Sequence, residues 1–134
     1  MRLREYKPKE ELFDGATANG VTSAIDVKEY KDVTVSVGTA SNADLTVRVL
    51  GAIGDTAPDF TAASSEANQW AYIGIGDYAL TGTITAGQDG VVYSGADAVT
   101  IFKVNIDNLD WVALEISSYI AGSISASMSL VTID

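Results

Sequence analysis

Residues 32–51, DVTVSVGTASNADLTVRVLG, decide the fold. Val33, Val35 and Val37 alternate with Thr34 and Ser36, and Leu45, Val47 and Val49 alternate with Thr46 and Arg48. A period of two puts alternate side chains on opposite faces of a strand, and β-branched residues suit that conformation. Between the two runs, Ser41-Asn42-Ala43-Asp44 has the chemistry of a turn. The stretch therefore predicts two strands joined as an antiparallel hairpin.

The same pattern extends in both directions. Upstream, Val21, Ser23, Ile25 and Val27 form one face of a strand. Downstream, strands are predicted over Trp70–Ile75 and, more weakly, over Leu80–Thr85 and Gly90–Tyr93. Phe102, Val104 and Ile106 alternate with Lys103 and Asn105, and Val112, Leu114 and Ile116 follow the turn residues Asp107-Asn108. After Ala121-Gly122, read as a further turn, Ile124, Ala126, Met128 and Leu130 alternate with Ser123, Ser125, Ser127 and Ser129. No amphipathic helix competes with this pattern. The expectation is an all-β, antiparallel β-sandwich of jelly-roll-like type with about eight strands, with a closed barrel as the rival closure.

This sandwich domain is placed at residues 20–134. Residues 1–19 are read as an extended N-terminal arm whose large apolar groups are Leu3, Tyr6, Leu12 and Phe13; a frayed terminus is the alternative. Adjacent Leu12 and Phe13 favour docking, because two bulky apolar side chains are costly to leave in water. Residues 54–69 break the strand pattern with Gly54-Asp55, Pro58 and a run of small and polar residues around Phe60. Such a length predicts either a functional projection or a short helix near 62–67.

Composition narrows the function. With 134 residues the chain can bury roughly two-thirds of its unfolded surface in one domain. It has no cysteine and no histidine, which removes disulfides, thiolate nucleophiles, the usual zinc ligands and imidazole-based triads. No enzyme activity and no cofactor are expected. The charged stretch Met1–Glu11 has no apolar core of a signal peptide, and no run approaches the roughly 20 apolar residues of a membrane helix. Synthesis and folding are expected in the cytoplasm. The net charge is −10, and Arg2, Arg4, Lys7 and Lys9 are balanced by Glu5, Glu10, Glu11 and Asp14, so the body beyond the arm carries the whole excess. Such a body repels nucleic acid and anionic membrane.

Several candidate sites are weighed against plain structural roles. Gly74-Ile75-Gly76-Asp77-Tyr78-Ala79 matches G-x-G-x-x-A, but that fingerprint works only where a helix begins, and a strand is expected here. Asp55 with Asp59, and Asp107 with Asp110, lack the ligand density of a calcium loop and read as solvated turns; as glycosidase carboxylates they are equally unmarked. Trp70, Tyr72 and Trp111 are conceivable as a sugar platform, with core or interface packing the favoured role.

Three segments resemble a recurring type of small tailed-phage virion protein: Leu12-Phe13-Asp14-Gly15 ahead of the Val-rich stretch, Leu45–Gly54 running on through Phe60 to Asn68-Gln69-Trp70-Ala71-Tyr72, and Phe102–Ile106 leading to Leu109-Asp110-Trp111-Val112-Ala113. The resemblance spans most of residues 12–134. It implies a capsid decoration (cement) protein on the virion surface, often a homotrimer, whose arm reaches onto the major capsid protein. Leu3, Tyr6, Leu12 and Phe13 are then the expected capsid contacts, with Phe60 a further loop contact. A phage tail, neck or baseplate component and a carbohydrate-binding module are the alternatives.

Overall fold

The computed structural model describes residues 4–77 and 84–133, with residues 4–10 described by their backbone. All regular structure among these residues is β. The strands are β1 (Arg4–Ala16), β2 (Gly20–Val21), β3 (Ile25–Asp26), β4 (Asp32–Ala52), β5 (Ala71–Ile73), β6 (Ile75–Asp77), β7 (Ile84–Thr85), β8 (Val91–Ala96), β9 (Val99–Val104) and β10 (Trp111–Ile133). They form one antiparallel sheet in the order β1-β10-β4-β9-β6-β7; β2 and β3 also pair with β10, and β5 and β8 with β4.

Two long strands organise this sheet. β4 and β10 pair along nearly their whole length, from Trp111 opposite Ala52 to Val131 opposite Asp32. Both bend midway, where Ser41, Asn42, Ser118 and Gly122 take positive φ. The register survives the bend, since Ser117 faces Thr46 before it and Ser123 faces Ala40 after it. The neighbours break at the same level: β8 pairs with residues 43–47 of β4 and β9 with residues 33–38, while β2 and β3 pair with the first half of β10 and β1 with the second. The sheet thus folds over at one corner into two layers. The first contains β2, β3, β5, β8 and the adjoining halves of β4 and β10; the second contains β1, β6, β7, β9 and the other halves.

The expected hairpin over residues 33–49 is corrected by this pairing. Ser41-Asn42 bends a single strand instead of reversing it, and Ala121-Gly122 does the same in β10. The corner is tied by hydrogen bonds. Thr39 N donates to Ala98 O (2.9 Å), Ala98 N donates to Thr39 Oγ1 (3.0 Å), and Asn42 N donates to Asp97 Oδ1 (2.9 Å). On β10, Tyr119 Oη donates to Gly122 O at 2.7 Å, and Asn19 Oδ1 accepts from Tyr119 N at 2.9 Å.

Because the bends keep the period of two, one face of each long strand stays inside throughout. Val33, Val35, Val37, Leu45, Val47 and Val49 of β4 and Val112, Leu114, Ile116, Ile124, Met128 and Leu130 of β10 are buried in one cluster with Phe102, Val104 and Ile106. Each such side chain contributes about 1.5–3 kcal/mol on burial. The fold is a sandwich made by one bent sheet, and the sheet stays open instead of closing into a barrel.

Candidate interaction surfaces

The segment expected as an arm lies along the sheet edge. β1 pairs antiparallel with β10 from Arg4 opposite Ile133 to Ala16 opposite Ile124, with register shifts between Lys7 and Glu10, Glu11 and Phe13, and Phe13 and Ala16. Without it the second half of β10 would present an unpaired edge beside the core residues Ile124 to Leu130. Leu12 and Phe13 are half-buried and pack against that core, so their apolar surface is largely spent within the chain. Tyr6 sits in β1 at the position facing Val131. Leu3 lies outside the described residues.

Phe60 is placed differently from the surface contact expected of it. It is only 5% exposed and forms a second cluster with Leu50, Ala52 and Ala113, on the outer face of the first layer. Residues 53–70 fold back as a cover over that face. There is no helix near residues 62–67; Ser65 and Asn68 form an isolated antiparallel bridge instead. Asn68 holds the loop together, accepting from Asp59 N (2.8 Å) and donating through Nδ2 to Asp59 O (2.8 Å) and Ala63 O (3.2 Å). At its start, Gly54 N donates to Asp110 Oδ2 (2.6 Å) and Trp111 Nε1 donates to Gly54 O (2.9 Å).

Trp70, Tyr72 and Trp111 all pack, half-buried, on this second cluster. Trp70 and Tyr72 meet edge to face at 5.2 Å and 79°, Phe60 and Trp70 are tilted at 58°, and Trp70 Nε1 donates to Ala62 O at 3.0 Å. A sugar platform needs rings laid open side by side, and here they interlock to hold a loop. Beside them Arg48 forms a hub. Its Nε donates to Gln88 O (2.8 Å), its Nη1 donates to Ser117 Oγ (2.8 Å) and Glu115 Oε1 (3.4 Å), and its guanidinium lies 5.2 Å from the Tyr72 ring centre. Tyr72 Oη donates to both Glu115 oxygens at 3.2 and 3.3 Å. Burial, then the Glu115 charge, raises the Tyr72 pKa, and Arg48 opposes the rise.

The Arg48 hub gives a first prediction. Arg48→Met leaves Glu115 short of its cation and Gln88 O without its donor, so urea unfolding should show a loss of about 1–3 kcal/mol. The Tyr72 phenol should titrate still higher, read by tyrosinate absorbance. Arg48→Lys should recover little of the stability, because an ammonium cannot reproduce the divergent donors.

The remaining sequence candidates resolve simply. Gly74 to Asp77 contributes to β6 and opens no helix, so the G-x-G pattern has no helix N-terminus to offer, while Tyr78 and Ala79 lie outside the described residues. Asp59 is an exposed turn residue whose carboxylate accepts from both the hydroxyl and the backbone N of Thr61, which lowers its pKa. Asp110 accepts from Gly54 N, and Asp107 is exposed. Among the described residues, no group of three or more Asp or Glu side chains is arranged to hold a metal ion. A cleft of about 670 Å³ at the end of the sandwich away from the corner mixes Lys31 and Lys103 with Asp32 and Asp107 and so favours neither charge.

Fold and surfaces together define an all-β sandwich protein whose recognisable features are edges, faces and covering loops. No family model matches the chain, and no curated protein matches it. Among solved structures it is similar to the SPBc2 prophage-derived protein YomS, with a TM-score of 0.70 and 11% identity over 97% of this chain and 96% of that one. At that identity the likeness is one of fold, and it takes in both layers from end to end.

Proposed function

We propose that this chain is a structural protein of a tailed-phage particle and, more finely, a capsid decoration protein that binds the major capsid protein and stabilises the shell. The observation that carries the reading is the end-to-end likeness of fold to a prophage-derived protein. The sequence texture of residues 12–134 points the same way. The role is non-enzymatic, which suits a chain with neither histidine nor cysteine. A homotrimer seated on the capsid surface is the assembly proposed.

β1 is the element proposed to meet the shell. Among the described residues it pairs only with β10, which leaves its outer edge for an added strand of the capsid protein. Its charges and Pro8 discourage indiscriminate pairing, as guarded edges do. The test is immunogold labelling of particles from the source phage, with co-sedimentation of purified protein on bare heads. Labelled heads and co-sedimentation are expected. Labelled tails would move the protein to the tail or neck, and unlabelled particles would overturn the reading. A chain lacking residues 1–9 keeps Leu12 and Phe13 and should melt close to the full chain while losing head binding; unchanged binding would place the contact elsewhere than β1.

A further inference from the structure

The two layers differ on their outer faces. Loop 53–70 covers the first-layer face, and among the described residues nothing comparable covers the second. The uncovered face contains two cross-strand rows. Ser125, Gly38 and Val99 form one, and Ser127, Ser36 and Ile101 the next. Val99 is 71% exposed and Ile101 43%, two apolar side chains on the same side of β9. The rows hold no formal charge.

Gly38 is the informative residue. It lies within β4, outside the positive-φ positions, and a Cβ built on it would meet nothing within 4 Å. The chain itself therefore does not require glycine there. A glycine inside a strand weakens it, and such positions mark places where another backbone comes close. With no intramolecular backbone near that Cβ, the approach has to come from outside.

We propose that this face, centred on Gly38, is the surface on which a second copy of this chain seats. Charge selects the occupant. Copies of a chain with net charge −10 repel one another over most of their surface. Here the nearest ion on β9, Lys103, is compensated by Asp32 at 3.6 Å, and Glu11 of β1 stands at the margin opposite Ser127. A strongly charged partner finds no counter-charge in the rows, whereas an identical neutral face needs none; depletion of charge at the centre is the mark of protein interfaces. Facing hydroxyls can bond across the contact while Val99 and Ile101 leave water. In a cyclic assembly the face turns toward the axis. This inference stands on the surface alone and does not depend on the phage reading.

The experiment is light scattering coupled to size exclusion, over a concentration series, with melting followed by circular dichroism. The wild-type chain should run at a multiple of 14.0 kDa. Gly38→Thr should melt at or above the wild-type temperature, because threonine suits a strand, yet weaken association at least tenfold. Ile101→Lys should do the same to association, and Ile53→Lys, an exposed position on the covering loop, should leave it unchanged. A wild-type chain that stays monomeric throughout, or a Gly38→Thr chain that associates like wild type, overturns the proposal.

Discussion

Gly122→Ala should lower stability by about 4 kcal/mol, and with it the melting temperature by roughly 15 °C. Gly122 sits at the bend of β10 with φ 86°, a region that costs an L-residue about 1–2 kcal/mol. Its Cβ would lie 2.4 Å from Ala43 Cα and 2.8 Å from both Ala40 O and Ala43 N. These are backbone atoms of the neighbouring bend, so no side-chain rotation relieves the clash and the two long strands have to part. Because total stability is about 5–15 kcal/mol, one methyl group should remove a large share of it. Gly95→Ala is the control: its φ is also positive, at 66°, but nothing lies within 4 Å of the added carbon. That variant should lose about 1 kcal/mol, and the difference between the two isolates the close approach at the corner. Equal losses would show that the bends of β4 and β10 are not in the contact described.

The physics of Gly122 also explains which parts of the fold the sequence made legible. Alternation identified the inward side of each long strand correctly. Every apolar residue named on the inward face between Val33 and Val49, and between Val112 and Leu130, is buried. What alternation does not reveal is whether Ser41-Asn42 or Ala121-Gly122 reverses a chain or bends it. Positive-φ turn residues serve both purposes, and only the pairing of β4 with a strand some 80 residues further on distinguishes them. The covering loop did leave a signal. Val49, Leu50 and Ala52 are apolar on both faces of one strand, the pattern of a sheet buried on both sides, and Leu50 and Ala52 are the floor on which Phe60 rests. The docking of β1 left a fainter one, since Leu12-Phe13 asked for a partner without saying that β10 of the same chain supplies it. The face around Gly38 was visible as a serine pattern, but the open space above the glycine belongs to the structure alone.

Phe60→Ala separates the two roles open to the residue that the sequence offered as a surface contact. Phe60 is 5% exposed over Leu50, Ala52 and Ala113, with the Trp70 ring at 6.4 Å. Truncating such a phenylalanine costs about 3–5 kcal/mol in a rigid core. A loop can lift away instead of holding a cavity, so the expected loss is about 3 kcal/mol, at the lower end. Lifting would uncover Leu50 and Ala52 and wet the indole rings of Trp70 and Trp111, the two tryptophans of the chain. Fluorescence should therefore shift to the red, and hydrogen exchange should speed up over residues 53–70 while the amides of β4 and β10 beyond the corner keep their protection. A residue that serves only an external partner would behave otherwise. Its loss would leave melting, fluorescence and exchange unchanged and weaken binding alone. Since Phe60 anchors the cover of the first layer, its removal should also lengthen the apolar surface presented to water and make that layer, normally closed, prone to association through Leu50 and Ala52. Gly38→Thr added to Phe60→Ala should not suppress this new association, because the two faces lie on opposite sides of the sandwich.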